Sequence, residues 1–317
     1  MTANFKPGSK AFILINPVAG STEAKTLKKV CEEQFHAAGW QTRIHMTKAN
    51  EDLAEIINTE IANGADLVVA AGGDGTVSAV AACLLRTHVP LGIISTGTWN
   101  AISRYLLIPP TPRAAIELMT GKHTTRKLDM MAVDKSIHAM NLSVGFTAAM
   151  INGTDREQKR KFGNLAYVKH IFQSLFGLEM PRYIIEVDGR IYKGRAAEIF
   201  IANYGVIGLH FFEQGMNILP DDGKVEILIL KARTILDLPS LVWQVFVKPE
   251  KRTPKYRKVS ASKKIVITTV PPALVQADGE SLGETPVTVK VLPRTVSVIA
   301  PFIPSLPHKD PHLLNKK

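Results

Sequence analysis

The segment Asp66–Ala71 (DLVVAA) runs directly into Gly72-Gly73-Asp74-Gly75-Thr76, and this junction constrains the fold more than any other feature. A short continuous apolar run bounded by glycine reads as a fully buried strand. A helical pattern from Thr76 to about Arg86 follows it. Three glycines in the turn permit positive φ and let backbone N–H groups close on a ligand. Thr76 is placed to cap the helix, whose positive end favours a phosphate. The chain contains no GxxxxGK[ST], so the turn is not a Walker loop.

Strand and helix alternate on both sides of that junction. Ala11–Ile15 reads as a buried strand. Residues 21 to 38 read as a helix, with Leu27, Val30, Cys31, Gln34, Phe35 and Ala38 at helical spacing and Gly39 beyond the end. Gln41–Met46 is a second strand. Asn50 is read as the cap of a helix through Leu53, Ile56, Ile57 and Ile61 that stops at Gly64. Leu91–Ile94 is a fourth strand, with a short helix after Thr98. Such alternation predicts a parallel sheet covered by helices. Ligands in these folds bind beyond the carboxyl ends of the strands.

Near residue 128 the pattern changes. Leu128–Val133 and His138–Val144 read as strands around Asp134–Lys135. A basic helical stretch covers Arg156 to Phe176. Tyr183–Val187, Arg195–Ala202, Val225–Leu230, Lys264–Thr268, Leu274–Ala277, Thr288–Leu292 and Val296–Ile299 read as further strands. Asp188-Gly189 is a type I′ hairpin signal. Many short strands at close spacing predict an antiparallel sandwich. The expected fold is thus an α/β N-terminal nucleotide domain with a parallel sheet, plus a C-terminal antiparallel β-sandwich domain. The domains are read as 1–128, with 295–303 a candidate to rejoin it, then 129–294, then a tail at 304–317. A length of 317 residues accommodates about two domains.

Three further strings stand where ligand-facing loops belong. Ile15-Asn16-Pro17-Val18-Ala19-Gly20 follows the first strand. Ser95-Thr96-Gly97-Thr98-Trp99-Asn100 follows the fourth. Asp278-Gly279-Glu280 closes a late strand, where Asp-Gly is also a favoured hairpin dipeptide. With Lys161-Phe162-Gly163-Asn164-Leu165-Ala166-Tyr167 and Asp221-Asp222-Gly223, these strings in this order resemble the diacylglycerol kinase catalytic family. That family includes bacterial lipid kinases and sphingosine and ceramide kinases, and is distantly akin to NAD kinase. The resemblance spans Ala11 to about Pro301.

The resemblance implies transfer of the γ-phosphate of ATP to a lipid hydroxyl, with Mg²⁺ as cofactor and ATP in the cleft between the domains. It implies that Gly72, Gly73, Gly75 and Thr76 hold nucleotide phosphates, with Asn16 and Thr98 contacting the nucleotide. It implies that Asp74 organises Mg²⁺, that Asp278 is the general base and that Glu280 joins the acidic network. Asp129 matches another acidic family position and is a further candidate metal ligand. Asp222 lies in a segment that binds a structural Mg²⁺ in some bacterial members. Phosphoryl transfer needs charge neutralisation and in-line positioning, which such residues supply. The chain departs from the family pattern at Ala79, Ala101 and Thr147, where acidic or polar groups are usual. Two other readings therefore stand beside a lipid kinase: a kinase for a soluble substrate, like NAD kinase, and a non-catalytic nucleotide- or lipid-binding relative.

Charge bears on partners. There are 39 Lys and Arg against 28 Asp and Glu, a net charge of +11. That surplus attracts anions. The segment Lys248–Lys264 is strongly basic and is expected to meet anionic lipid at a membrane surface where the lipid substrate resides. His210-Phe211-Phe212 could dip into lipid or pack. Only three Trp and six Tyr occur and no nucleic-acid motif is present, so no nucleic-acid partner is expected. A homodimer is left open. The apolar run Ser240–Val247 is too short to span a bilayer. Two cysteines, Cys31 and Cys83, read as buried thiols of a reducing cytosol. The expected location is cytoplasmic with peripheral membrane association.

Overall fold

The computed structural model describes residues 5–17, 21–48, 50–145, 148, 180–205, 218–231 and 256–302. The first half alternates β1 (Lys10–Ile15), α1 (Ser21–Ala37), β2 (Gln41–Met46), α2 (Leu53–Ala62), β3 (Leu67–Gly72), α3 (Asp74–Cys83), β4 (Leu91–Ser95), α4 (Ala101–Tyr105) and α5 (Pro112–Thr120). The four strands are parallel in the order β2-β1-β3-β4. β1 and β3 are central, and every residue of β3 is buried. Helices α1 and α5 pack on the sheet through Phe35, Ile116 and Met119, all nearly inaccessible. Each such side chain contributes about 1.5–3 kcal/mol by leaving water.

The second half is antiparallel. β5 (Thr124–Val133) and β6 (Ser136–His138) lead to β7 (Asn141–Gly145). Then follow β8 (Arg182–Val187), β9 (Arg190–Arg195), β10 (Glu198–Ala202), β11 (Val225–Leu230) and β12 (Tyr256–Ala261). The chain closes with β13 (Lys264–Val270), β14 (Leu274–Ala277), β15 (Glu280–Glu284) and β16 (Val287–Ala300). One sheet runs β12-β11-β10-β7-β14-β15. The other is continuous with the parallel sheet, because β16 belongs to both regions. Its first half pairs with β13 and its end lies parallel to β4, with Val298 opposite Leu91. A second core lies between the two sheets, built from Met131, Ile185, Ile201, Ile227, Ile267 and Val289 among others. The architecture is an α/β domain with a mostly parallel sheet joined to a β-sandwich.

Several boundaries differ from the sequence reading. Asp52, not Asn50, caps α2, its carboxylate accepting from Glu55 N–H at 3.0 Å, while Asn50 takes a positive φ of 62°. Helix α3 begins at Asp74, so Gly73 is the cap and Thr76 lies inside the first turn. The run His138–Val144 breaks at Ala139–Met140 into β6 and β7, which belong to different sheets. Alternating hydrophobicity cannot reveal that switch. Arg195–Ala202 likewise divides between β9 and β10, and Thr288–Leu292 and Val296–Ile299 are one strand. Helix α5 carries a Thr111 cap with Pro112 behind it, a start signal the reading passed over. Cys31 is buried and Cys83 half-buried, both free thiols, and burial raises them to about 12 and about 11. No helix among the described residues is long and apolar enough to cross a membrane. The basic stretch Arg156–Phe176, the string Lys161–Tyr167, Thr147, His210–Phe212 and Ser240–Val247 lie outside the described residues.

Candidate functional site

The carboxyl ends of β1, β3 and β4 bring three of the loops together. Asn16, just past β1, donates from Nδ2 to the Thr76 hydroxyl at 2.8 Å. Its backbone N–H bonds Ala71 O at 3.0 Å. The glycine turn is tight. A Cβ at Gly72 would lie 2.5 Å from the Thr76 side chain. At Gly97 a Cβ would lie 2.6 Å from the Gly73 Cα, so the loops after β3 and β4 touch backbone to backbone. Asn100 holds the second loop, accepting from Gly97 N–H at 3.1 Å and donating to Gly97 O at 2.7 Å. Gly73 offers no side chain to cap α3. The first N–H groups of that ten-residue helix therefore lack a side-chain acceptor at the cap, the arrangement that receives an anion.

Asp74 stands at this helix start and reaches the start of α4, accepting from Ile102 N–H at 3.2 Å. Burial raises its pKa, opposed by backbone N–H groups of Ala101, Ile102 and Asn100, while the Asp278 charge adds to the rise. Ala101 itself is buried at the α4 start.

Asp278 belongs to a two-residue hairpin turn. Both Asp278 and Gly279 have positive φ, 49° and 88°, as a type I′ turn requires. Gln276 braces the turn by accepting from Gly279 N–H at 3.0 Å. The hairpin and the buried carboxylate are the same structure. The carboxylate accepts from Ala139 N–H at 2.9 Å, Met140 N–H at 3.1 Å, Asn141 N–H at 2.9 Å and the Ser78 hydroxyl at 2.5 Å. His138 Nδ1 lies 3.7 Å away, and its Nε2 is 2.8 Å from Ser136 Oγ. Burial pushes the Asp278 pKa up, but His138, Ser78 and the N–H groups of Asn141 and Ala139 outweigh it and leave it below the ordinary value. Asp278 is thus ionised at neutral pH.

Asp188 repeats the motif. It has the same φ of 49°, and its carboxylate accepts from the N–H groups of Ser262, Lys263 and Lys264 at 2.8–2.9 Å. Burial raises its pKa, but those donors and the Ser262 hydroxyl lower it by more, for a net fall. Asp188 is an exposed staple; Asp278 is the same staple carried into the cleft beside Ser78 of α3.

The remaining acids are placed differently. Asp129 is fully buried, and its two oxygens accept from Gly223 N–H at 2.6 Å and Arg294 N–H at 2.7 Å. Burial raises its pKa, against those two bonds. Asp129 therefore anchors the 221–223 turn and the kink of β16, and both oxygens are engaged. Asp221 is bound to Arg126 and accepts from Tyr105 OH at 3.0 Å. Asp222 is exposed and accepts from Lys224 N–H at 3.0 Å. Asp74, Asp129 and Asp222 are not brought together as a ligand set: among the described residues no group of three or more His, Cys, Asp or Glu could hold a metal. Glu280 is exposed at the head of β15, and Thr98 is exposed on its loop.

Four residues of the cleft escaped the sequence reading: Ser78, His138, Asn203 and Tyr204. Asn203, wholly buried, donates to Asp129 O at 2.9 Å and Ala139 O at 2.7 Å, tying the end of β10 in one sheet to β5 in the other. Tyr204 is buried with a hydroxyl that has no hydrogen-bond partner among the described residues. Burial raises its pKa well above 10, and Tyr105, Asp278, Asp129 and Asp74 add to this, so it stays a neutral donor. An unbonded buried hydroxyl costs about 1–3 kcal/mol. Tyr204→Phe is expected to raise the melting midpoint of the ligand-free protein, measured by circular dichroism. A fall would show that the hydroxyl is already satisfied.

Comparison with known proteins follows the same two-part division. Residues 10–133 match the diacylglycerol kinase catalytic domain, and residues 141–300 match the YegS C-terminal NAD kinase beta sandwich-like domain. An uncharacterised protein of Synechocystis is 30% identical over 303 residues, covering 91% of this chain and 70% of its own. A protein of Streptococcus pneumoniae named "Putative lipid kinase" is 26% identical, covering 92% of this chain and 98% of its own. The crystal structure of a "putative diacylglycerol kinase" from Bacillus anthracis superposes with a TM-score of 0.74 at 25% identity, covering 94% of this chain and 97% of that one.

Proposed function

The chain belongs to the diacylglycerol kinase catalytic family with a YegS-type C-terminal domain, and from that premise we propose that it transfers the γ-phosphate of ATP to a lipid hydroxyl. The observation that carries the reading is the meeting, at one cleft, of a glycine turn opening a helix and a buried, ionised aspartate from the opposite domain. The two are joined by the Ser78–Asp278 hydrogen bond.

The uncapped start of α3 and the backbone of Gly72, Gly73 and Gly75 receive phosphate oxygens. Asn16 positions Thr76, and the Gly73–Gly97 contact fixes the separation of the two nucleotide-facing loops. Mg²⁺ prefers hard oxygens, with one or two carboxylates completed by phosphate and water. Asp74 fits that need as a carboxylate at the phosphate turn, whereas Asp129 accepts from the backbone N–H groups of Gly223 and Arg294 and serves the 221–223 turn and β16. When bound, the ion would neutralise charge on the transferring phosphate.

Asp278 is the base in this reading. Four donors occupy its oxygens, so accepting a proton requires that one leave. The backbone donors are fixed by the 139–141 segment, while the Ser78 hydroxyl can rotate. Ser78 is therefore the positioning residue that sets the basicity of Asp278. The reading includes a lipid substrate met at a membrane surface. Incubation with γ-labelled ATP and a panel of lipid alcohols in mixed micelles tests it.

A further inference from the structure

The outer face of β8, β9 and β13 has a composition that the cleft does not explain. Residues directly opposite in paired strands share a face. In register, Ile191 lies opposite Glu186, Ile184 opposite Lys193 and Thr268, and Val270 opposite Arg182. Ile191, Ile184 and Val270 are thus diagonal neighbours across three strands. They are 62%, 45% and 64% exposed, three of the seven large apolar side chains exposed among the described residues. Beside them stand Arg182, Lys193 and Arg195, against Glu186 alone. Arg182 and Arg195 face each other directly, and among the described residues neither has an ion-pair partner. Like charges in opposite positions repel. A groove of about 490 Å³ runs between Ile184, Lys193, Arg195, Thr268 and Val270.

Basic residues on an edge strand discourage strand-to-strand aggregation. β9 is such an edge, which accounts for its charges but not for the apolar diagonal. An anionic bilayer accounts for both, since apolar side chains enter the interface while arginine and lysine meet headgroup phosphates. The basic segment marked out by sequence is a weaker candidate where it is described. Arg257 stacks on the Tyr192 ring at 4.6 Å, Lys258 is 3.7 Å from Glu226, and Lys248–Lys255 lie outside the described residues.

We propose that the exposed face of β8, β9 and β13 docks on an anionic lipid surface, with Ile184, Ile191 and Val270 entering the interface and Arg182, Lys193 and Arg195 contacting headgroups. It takes from the lipid-kinase reading only the presence of a bilayer. The test is cosedimentation of the full chain, without nucleotide, with vesicles of phosphatidylcholine or of equal phosphatidylcholine and phosphatidylglycerol. Wild type should sediment with the mixed vesicles and not the neutral ones. Arg182→Ser with Arg195→Ser should weaken the partition by about thirtyfold at low salt, and added salt should weaken it too. Ile184→Ser with Ile191→Ser should weaken it with the charges intact. All four positions are exposed, and an unchanged melting curve confirms the fold. Equal binding to both vesicle types, or wild-type partition by both variants, overturns the proposal. So does a dimer in sedimentation velocity that the isoleucine variant dissociates, which would assign the face to a second copy. Because nothing here measures phosphate transfer, failure of the docking face leaves the kinase reading standing, and the converse.

Discussion

Asp278→Asn is expected to slow phosphoryl transfer by about 10²–10⁴-fold, the range for loss of a general base. The same change at Asp188 is expected to leave the rate at the wild-type level. The two aspartates share a turn type, a φ of 49° and three backbone N–H donors, so the pair separates stapling from chemistry. Stability must be read alongside. Asn presents an NH₂ to donors that a carboxylate accepted, and unsatisfied buried donors cost about 1–3 kcal/mol each. At Asp278 that cost is felt in a buried site, whereas at exposed Asp188 water replaces the lost bonds.

The sign of the pH dependence follows from the lowered pKa. An aspartate whose folded pKa is depressed contributes stability above its unfolded pKa, lost as pH falls through the folded value. The Asp278 contribution is therefore complete at neutral pH and lost only in strong acid. Ser78→Ala removes one donor to the carboxylate, so the Asp278 pKa should rise. The acid limb of the kcat/KM profile then moves to higher pH. A limb that stays in place would remove Ser78 from control of the base.

Gly97→Ala is expected to weaken ATP binding more than tenfold, while Gly73→Ala is much milder. A methyl at 97 would sit 2.6 Å from the Gly73 Cα and 2.9 Å from Asn100 Oδ1. A methyl at 73 meets its nearest neighbour, the Gly97 Cα, at 3.4 Å, a contact that small relaxation absorbs. Neither glycine has a positive φ, so the difference is one of space and not of backbone strain. Calorimetric titration with ATP and Mg²⁺ measures both variants. Equal affinities would show that the two loops do not set the nucleotide site by their mutual contact.

Local pattern made much of the fold legible. β2, β11 and β14 lie where alternation or continuous apolarity placed them, because that signal is local to each strand. The sequence pattern starts α3 at Thr76 and the fold at Asp74, because Gly73 is extended, at φ −86° and ψ −176°, and nothing nearby in sequence marks the two residues after it as helical. The break at Ala139–Met140 was invisible for a different reason. The bonds that bend the chain there come from Asp278, about 140 positions away, and from Asn203. The site shows the same division. Glycine strings and the Asp-Gly turn are local signals. Ser78, His138 and Tyr204 acquire meaning only when β14 brings Asp278 to α3. Asp129, a metal candidate by its place in the family pattern, also accepts from the backbone N–H groups of Gly223 and Arg294, bonds that the pattern does not reveal.

The central claim is transfer of a phosphate across the cleft, and its most direct measurement follows the labelled γ-phosphate of ATP into the organic extract of lipid-containing micelles. Label should appear in a phosphorylated lipid with wild type and with Asp188→Asn, and fall to background with Asp278→Asn. Label that enters no lipid of the panel while calorimetry shows ATP bound would contradict the account and leave a nucleotide-binding relative without kinase activity.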